Sequence, residues 1–202
     1  MVRQFYPQAS VLHGGTMDVF DAIHGRQTIN KVKQDALPRE VIEKLLSAGA
    51  QAPNHYKVRP WRFVVLTGDG RRKLGDVFAA SFLERNPAAP TEAADKPRSL
   101  PLRAPLVIAV GADKPAPDTK AIEIENIASA SAAAMNILLA AHALGLGAIW
   151  RTGEWARDAK VKEFLGFAAD QHIIGFIYVG HPDVAPESYV RQGFEDRVTW
   201  VE

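Results

Sequence analysis

The chain has 202 residues, 47% of them hydrophobic and 23% charged, enough apolar material for one domain with a sizeable core. Lysine and arginine total 24 against 23 for aspartate and glutamate, so the net charge of +1 supplies no basic footprint for nucleic acid or an anionic membrane. Cysteine is absent, which excludes disulfides, thiol nucleophiles, iron–sulfur ligation and cysteine-based zinc sites, and agrees with a cytoplasmic setting.

Residues 1–16 carry Arg3, Gln4, Gln8 and His13 and no continuous apolar run, so they read as a flexible leader and not as a signal peptide. The domain is expected over 17–202. It opens with a short amphipathic helix, Met17 to His24, whose Val19, Phe20 and Ile23 share a face and which ends at Gly25. Pro38 suits the first position of the next helix, where Val41, Ile42, Leu45 and Leu46 follow at helical spacing. Gln51 to His55 breaks that pattern. Trp61 to Thr67 then reads as a strand, closed by a plain turn at Gly68-Asp69-Gly70, with a helix resuming near Arg71 and fading by Asn86.

Five prolines (87, 90, 97, 101 and 105) lie in residues 86–105, a density that predicts a mobile surface loop and a candidate lid. Leu106 to Gly111 is wholly apolar, as suits a strand covered on both faces. Residues 121–144 predict the longest helix. Its Ala- and Ser-rich surface fits a central, dimer-forming element, and Ser129, Ser131, Asn136 and His142 make it too polar for a membrane span. Strands follow at 148–151 and 173–179, with a helix near 157–165 between them. The tail has no period, yet Tyr189, Phe194 and Trp200 suggest that it packs onto something, a second subunit included. The order gives an α+β class: a central mixed sheet flanked by helices.

Serine-hydrolase elbow, Walker A, H-E-x-x-H and EF-hand patterns are all absent, and the six histidines show no metal spacing, so no metal site is expected. Three polar clusters remain at the ends of apolar elements: Gly25 to Asn30, Ala52 to Trp61, and Gly147 to Gly153. Singly, each has an ordinary explanation. Arg26 suits a surface ion pair, Thr28 and Asn30 a turn, and Trp150 the core with Arg151 beside it.

Taken in order, the clusters resemble the FMN-dependent nitroreductase superfamily, in particular its small NAD(P)H nitroreductases. The likeness rests on Arg26-x-Thr28, A-P-N-H at 52–55 leading into R-P-W-R-F at 59–63, R-A-P-L-V at 103–107, G-A-I-W-R-T-G at 147–153 and I-G-F-I-Y-V-G at 174–180. The resemblance implies a homodimer holding FMN non-covalently in two inter-subunit pockets. It also implies ping-pong chemistry, in which NAD(P)H reduces the flavin and a nitroaromatic, quinone or similar small molecule takes the electrons. Flavin N5 carries that chemistry, so no catalytic side chain is required.

By the same resemblance, Arg26, Gln27 and Thr28 stand where the family binds the flavin phosphate and ribityl chain. Gln51, Asn54 and His55 match further flavin contacts, and Trp150, Arg151 and Thr152 the strand end that holds the cofactor. A phosphate suits a guanidinium fork and a hydroxyl donor. His55, Arg151 and the backbone N–H groups of 52–55 are all able to serve the negative charge of reduced flavin. Two departures stand out. One arginine replaces the family's usual pair, which leaves Arg191 or Arg197 to complete the phosphate site, and Arg59-Pro60-Trp61 replaces Gln-Pro-Trp. A flavin store with little turnover, or other flavin chemistry on the same fold, is the alternative reading.

Overall fold

The computed structural model describes residues 17–185 and 191–202; the expected leader lies outside them. Helix α1 (Val19–Gly25) starts where Asp18 accepts a hydrogen bond from the Phe20 N–H at 2.8 Å. It buries only Ala22 and leaves Val19, Phe20 and Ile23 exposed. Helix α2 (Arg39–Gly49) follows Pro38, which caps it from one residue outside and not from its first turn. Strand β1 (Trp61–Thr67) runs into α3 (Gly68–Arg85). Gly68, at φ +45°, makes the turn alone, so Asp69 and Gly70 belong to the helix and not to a plain turn.

Residues 86–105 are the largest correction. They form a helical turn at Thr91–Ala94, helix α4 (Asp95–Ser99) and a turn at Leu100–Arg103, and they bury Ala94, Pro97, Pro101 and Ala104. Pro97 and Pro101 occupy first-turn positions, where proline costs no hydrogen bond. The prolines thus set the lengths of short helices. Arg71 ties the segment down, its Nη1 donating to the Ala104 carbonyl at 2.5 Å, and Gln34 Nε2 donates to Leu102 O at 3.1 Å. At Gly75 of α3 the helix meets the backbone of α4, and a Cβ there would overlap the Arg98 carbonyl oxygen. Gly75→Ala is therefore expected to destabilise the protein by about 1–3 kcal/mol in denaturant titration, since backbone cannot step aside as a side chain would.

Strand β2 (Leu106–Ala112), helix α5 (Glu123–Ala143), strand β3 (Gly147–Arg151), helix α6 (Ala159–Phe164) and strand β4 (His172–Gly180) complete the fold. The sheet order is β1-β2-β4-β3, and all three pairings are antiparallel. The parallel part of the expected mixed sheet is confined, among the described residues, to an isolated bridge between Thr28 and Ala148. Every residue of β2 is buried because both faces are covered. Leu106, Ile108, Val110 and Ala112 pack with α2 and α5, while Val107 and Ala109 pack with Phe78 of α3 and Phe176.

Helix α5 is long and apolar enough to cross a bilayer by length and composition, but Ala130, Ala133, Ala134, Ile137 and Ala141 are buried in the core. Its small side chains set it close to the sheet. Of the aromatic residues of the tail, Phe194 and Trp200 are exposed, as is Val201, and Tyr189 lies outside the described residues.

Candidate functional site

Two of the three polar clusters meet at the outer edge of β3. After α1, whose last cap is the Arg26 N–H donating to Ala22 O at 3.1 Å, residues 28–30 meet that strand and residues 31–33 pair with His181–Asp183 beyond β4. Thr28 bridges to Ala148, and the Ile29 N–H donates to Ala148 O at 3.0 Å. Gly147 permits the approach, since a Cβ there would stand 2.7 Å from Ile29 Cγ2. Arg151 closes the join by donating from Nη2 to Asn30 Oδ1 at 3.3 Å. Gln27 is half-buried and Thr28 exposed.

Cationic groups gather at this join. Arg191 from the tail donates through Nη2 to the Arg26 carbonyl, whereas Arg197 pairs with its neighbour Asp196 at 3.1 Å. Burial lowers the Arg26 pKa from its ordinary value, and the charge of Arg191 adds to that. His142, in the last turn of α5, is pulled down by burial and then by Arg26. Four buried side-chain nitrogens lack a hydrogen-bond partner among the described residues, and Arg26 Nε, His142 Nε2 and Arg151 Nε are three of them. A buried donor without a partner costs about 1–3 kcal/mol. Arg26 and Arg191 form a cationic pair beside His142, and such a pair with an unpartnered buried donor calls for an anion.

Beside the join lies an open cleft of about 390 Å³, lined by Arg151, Thr152, Gly153, Phe78, Trp155 and Tyr178 among others. That volume lies in the small-molecule range. Phe78 and Trp155 stack at 4.4 Å in its floor. Burial pushes the Tyr178 phenol up to about 12, with Arg151 and Arg103 pulling the other way, so the hydroxyl stays protonated and able to donate. Trp150 is turned to the α5 side of the sheet, its Nε1 donating to Ile174 O at 3.2 Å. Trp61 is buried in the same core.

The third cluster is elsewhere. His55 Nδ1 pairs with Glu125 Oε2 at 2.8 Å and its ring stacks on Tyr56 at 4.1 Å. Glu125 also accepts the Ile122 N–H at 3.1 Å, capping α5. Asn54 Oδ1 accepts from Arg59 N at 2.8 Å, holding a loop in which Tyr56, Lys57 and Arg59 all have φ between 51° and 57°. Such a run of left-handed non-glycine residues is strained backbone. Gln51 is exposed. From Glu125 to His142 the helix rises about 25 Å at 1.5 Å per residue. Within one chain, then, Asn54 and His55 lie far from Arg26, while Gln51 follows the end of α2, where Ala48 and Gly49 meet Asn136 and Ile137 of α5.

The His55 contact makes the loop acid-sensitive. Hydrogen bonds from His55 first, then from the Ile122 N–H, hold the Glu125 carboxyl below its ordinary value of 4.5. A lowered carboxylate contributes fully above its unfolded value and loses that contribution as pH falls through the folded one. Amide exchange at residues 55–59 is expected to speed up, beyond its intrinsic pH dependence, as pH drops from 5 towards 3. Glu125→Ala should bring the same opening to neutral pH.

From sequence, His142 is one of the polar residues of the long helix and not a candidate site residue. Its only signal is an imidazole in the last turn of an Ala- and Leu-rich helix.

The comparisons with known proteins agree on one family. The Nitroreductase family model matches residues 23–181. "Putative NAD(P)H nitroreductase YdjA" of Escherichia coli K12 is 33% identical over 168 residues, 83% of this chain and 90% of its own. "Putative NAD(P)H nitroreductase YfhC" of Bacillus subtilis is 29% identical over 96% of this chain and 98% of its own. Among solved structures, a nitroreductase-like family protein from Bacillus cereus superposes with a TM-score of 0.80 at 25% identity, covering 95% of this chain and 100% of that one. A "putative nitroreductase in complex with FMN" from Desulfovibrio desulfuricans gives 0.69 at 27%, over 92% and 98% of the two chains.

Proposed function

The chain belongs to the nitroreductase family, and from that premise we propose that it binds FMN and works as an NAD(P)H-dependent oxidoreductase on nitroaromatics, quinones or similar acceptors. The observation that supports this best is the cationic pair at the end of α1, where Arg26 and Arg191 lie together and Arg26 Nε is buried without a partner. Those donors fit the phosphate of a flavin nucleotide. Bound FMN supplies the redox chemistry, accepting a hydride from the nicotinamide and passing electrons to the acceptor.

The protein's part is to hold and orient. Arg26 and Arg191 neutralise the phosphate, with Gln27 and the Thr28 hydroxyl as further donors. Arg151 and Thr152 present the strand end to the cofactor, and the aromatic floor of the cleft excludes water from one side. Asn54 and His55 would reach the same cofactor from a second copy of the chain, because one copy separates them from Arg26 by most of the length of α5, and Gln51 would add a further contact. Exposed Val19, Phe20 and Ile23 on α1, with Phe194 and Trp200 in the tail, supply apolar surface for that homodimer.

Anaerobic mixing of the FMN-loaded protein with NADH or NADPH tests the activity. The flavin absorbance should bleach and return on adding a nitroaromatic or a quinone. A protein that keeps FMN yet does not bleach at millimolar nicotinamide would be a flavin store and would defeat the oxidoreductase reading.

A further inference from the structure

We propose that His142 is a further ligand of the cofactor phosphate, a side chain of α5 that completes the anion site begun by Arg26 and Arg191. The inference rests on FMN binding as proposed above and adds a residue to it. Helix α5 packs against α1, and the chain leaving α5 through Gly145–Gly147 abuts Ile29 and Val32 directly after the Arg26 cap. His142 therefore sits where the end of one helix meets the end of another.

Its Nε2 is buried and unpartnered, like Arg26 Nε beside it. An imidazole in an alanine-rich helix next to a guanidinium is an unfavourable choice for packing alone, because its buried nitrogen forfeits water without gaining a protein partner. Next to a cation, the partner it lacks is an acceptor carrying negative charge. Burial and Arg26 hold the ring towards its neutral form, and a neutral ring with its proton on Nε2 still donates one hydrogen bond. A phosphate has oxygens enough to accept from Arg26, Arg191 and His142 together.

Comparing FMN with riboflavin, which lacks the phosphate, isolates this contact. Dissociation constants for both are measured by fluorescence titration on wild type, His142→Leu and His142→Gln, with the thermal midpoint of each cofactor-free protein as a check on folding. The expected result is a rise of roughly tenfold in the FMN constant for His142→Leu, the scale of one charge-assisted hydrogen bond. Riboflavin affinity should stay within about twofold, and His142→Gln, which keeps a donor amide, should recover part of the FMN loss. Equal losses for the two ligands, or no loss for FMN, would overturn the role of His142 while leaving FMN binding intact. Should His142→Leu fail to fold, the FMN-to-riboflavin ratio of His142→Gln against wild type decides alone. Wild-type protein that takes up neither ligand would remove both this inference and the cofactor assignment.

Discussion

Arg26→Ala is expected to weaken FMN binding by about 1.5–3 kcal/mol, roughly ten- to 150-fold in dissociation constant, because in the proposed site it would delete a charge-assisted hydrogen-bond donor to the phosphate. The same change should leave the cofactor-free protein no less stable. Arg26 Nε is buried without a partner, and burial and Arg191 both disfavour its charge. Truncation therefore removes a cost along with the ligand contact. Isothermal titration with FMN and thermal unfolding of the apoprotein separate the two effects. A large loss of apoprotein stability with unaltered FMN affinity would make Arg26 a structural residue.

Gly175→Ala, by contrast, should cost about 3 kcal/mol of stability before any cofactor is added. Gly175 sits in β4 at φ +156°, opposite Val110, where the β2–β4 register shifts. A Cβ there would overlap Trp150 Nε1 and lie 2.7 Å from the Arg151 carbonyl oxygen. Backbone strain at such a φ costs about 1–3 kcal/mol, and losing the Trp150 to Ile174 hydrogen bond costs about 1 kcal/mol more. For a chain of this size that lowers the unfolding midpoint by roughly 6–12 °C. The clash also displaces Trp150 and Arg151, so FMN affinity should fall with stability. An unchanged midpoint would show that β3 has room to move.

The elements that can be read from sequence are those decided by local pattern. The unbroken apolar run at 106–111 is a strand buried on both faces, and the alanine-rich stretch at 121–144 is the helix that lies against it. Strand direction was less accessible, since it depends on which neighbours pair and not on side-chain alternation. The number of prolines in 86–105 says less than their place: two stand in first turns, where the missing N–H is harmless. For the site, Arg26 and Trp150 to Thr152 carry visible motifs. The donation from Arg151 to Asn30, 121 residues apart, follows only from the edge of β3 meeting residues 28–30. His142 has no motif; its significance is an unpaired nitrogen, and pairing cannot be seen in one dimension.

Placing His55 far along α5 from Arg26 leads to a decisive experiment with mixed dimers. A chain carrying Arg26→Ala is co-expressed with one carrying His55→Ala, each with a different tag, and the heterodimer is titrated with FMN. In a pocket built from two copies, one of the two sites receives both substitutions and the other receives neither. Half of the sites should therefore bind FMN as tightly as wild type. If every site in the mixed dimer is weakened, the pocket belongs to a single chain and the shared arrangement is wrong.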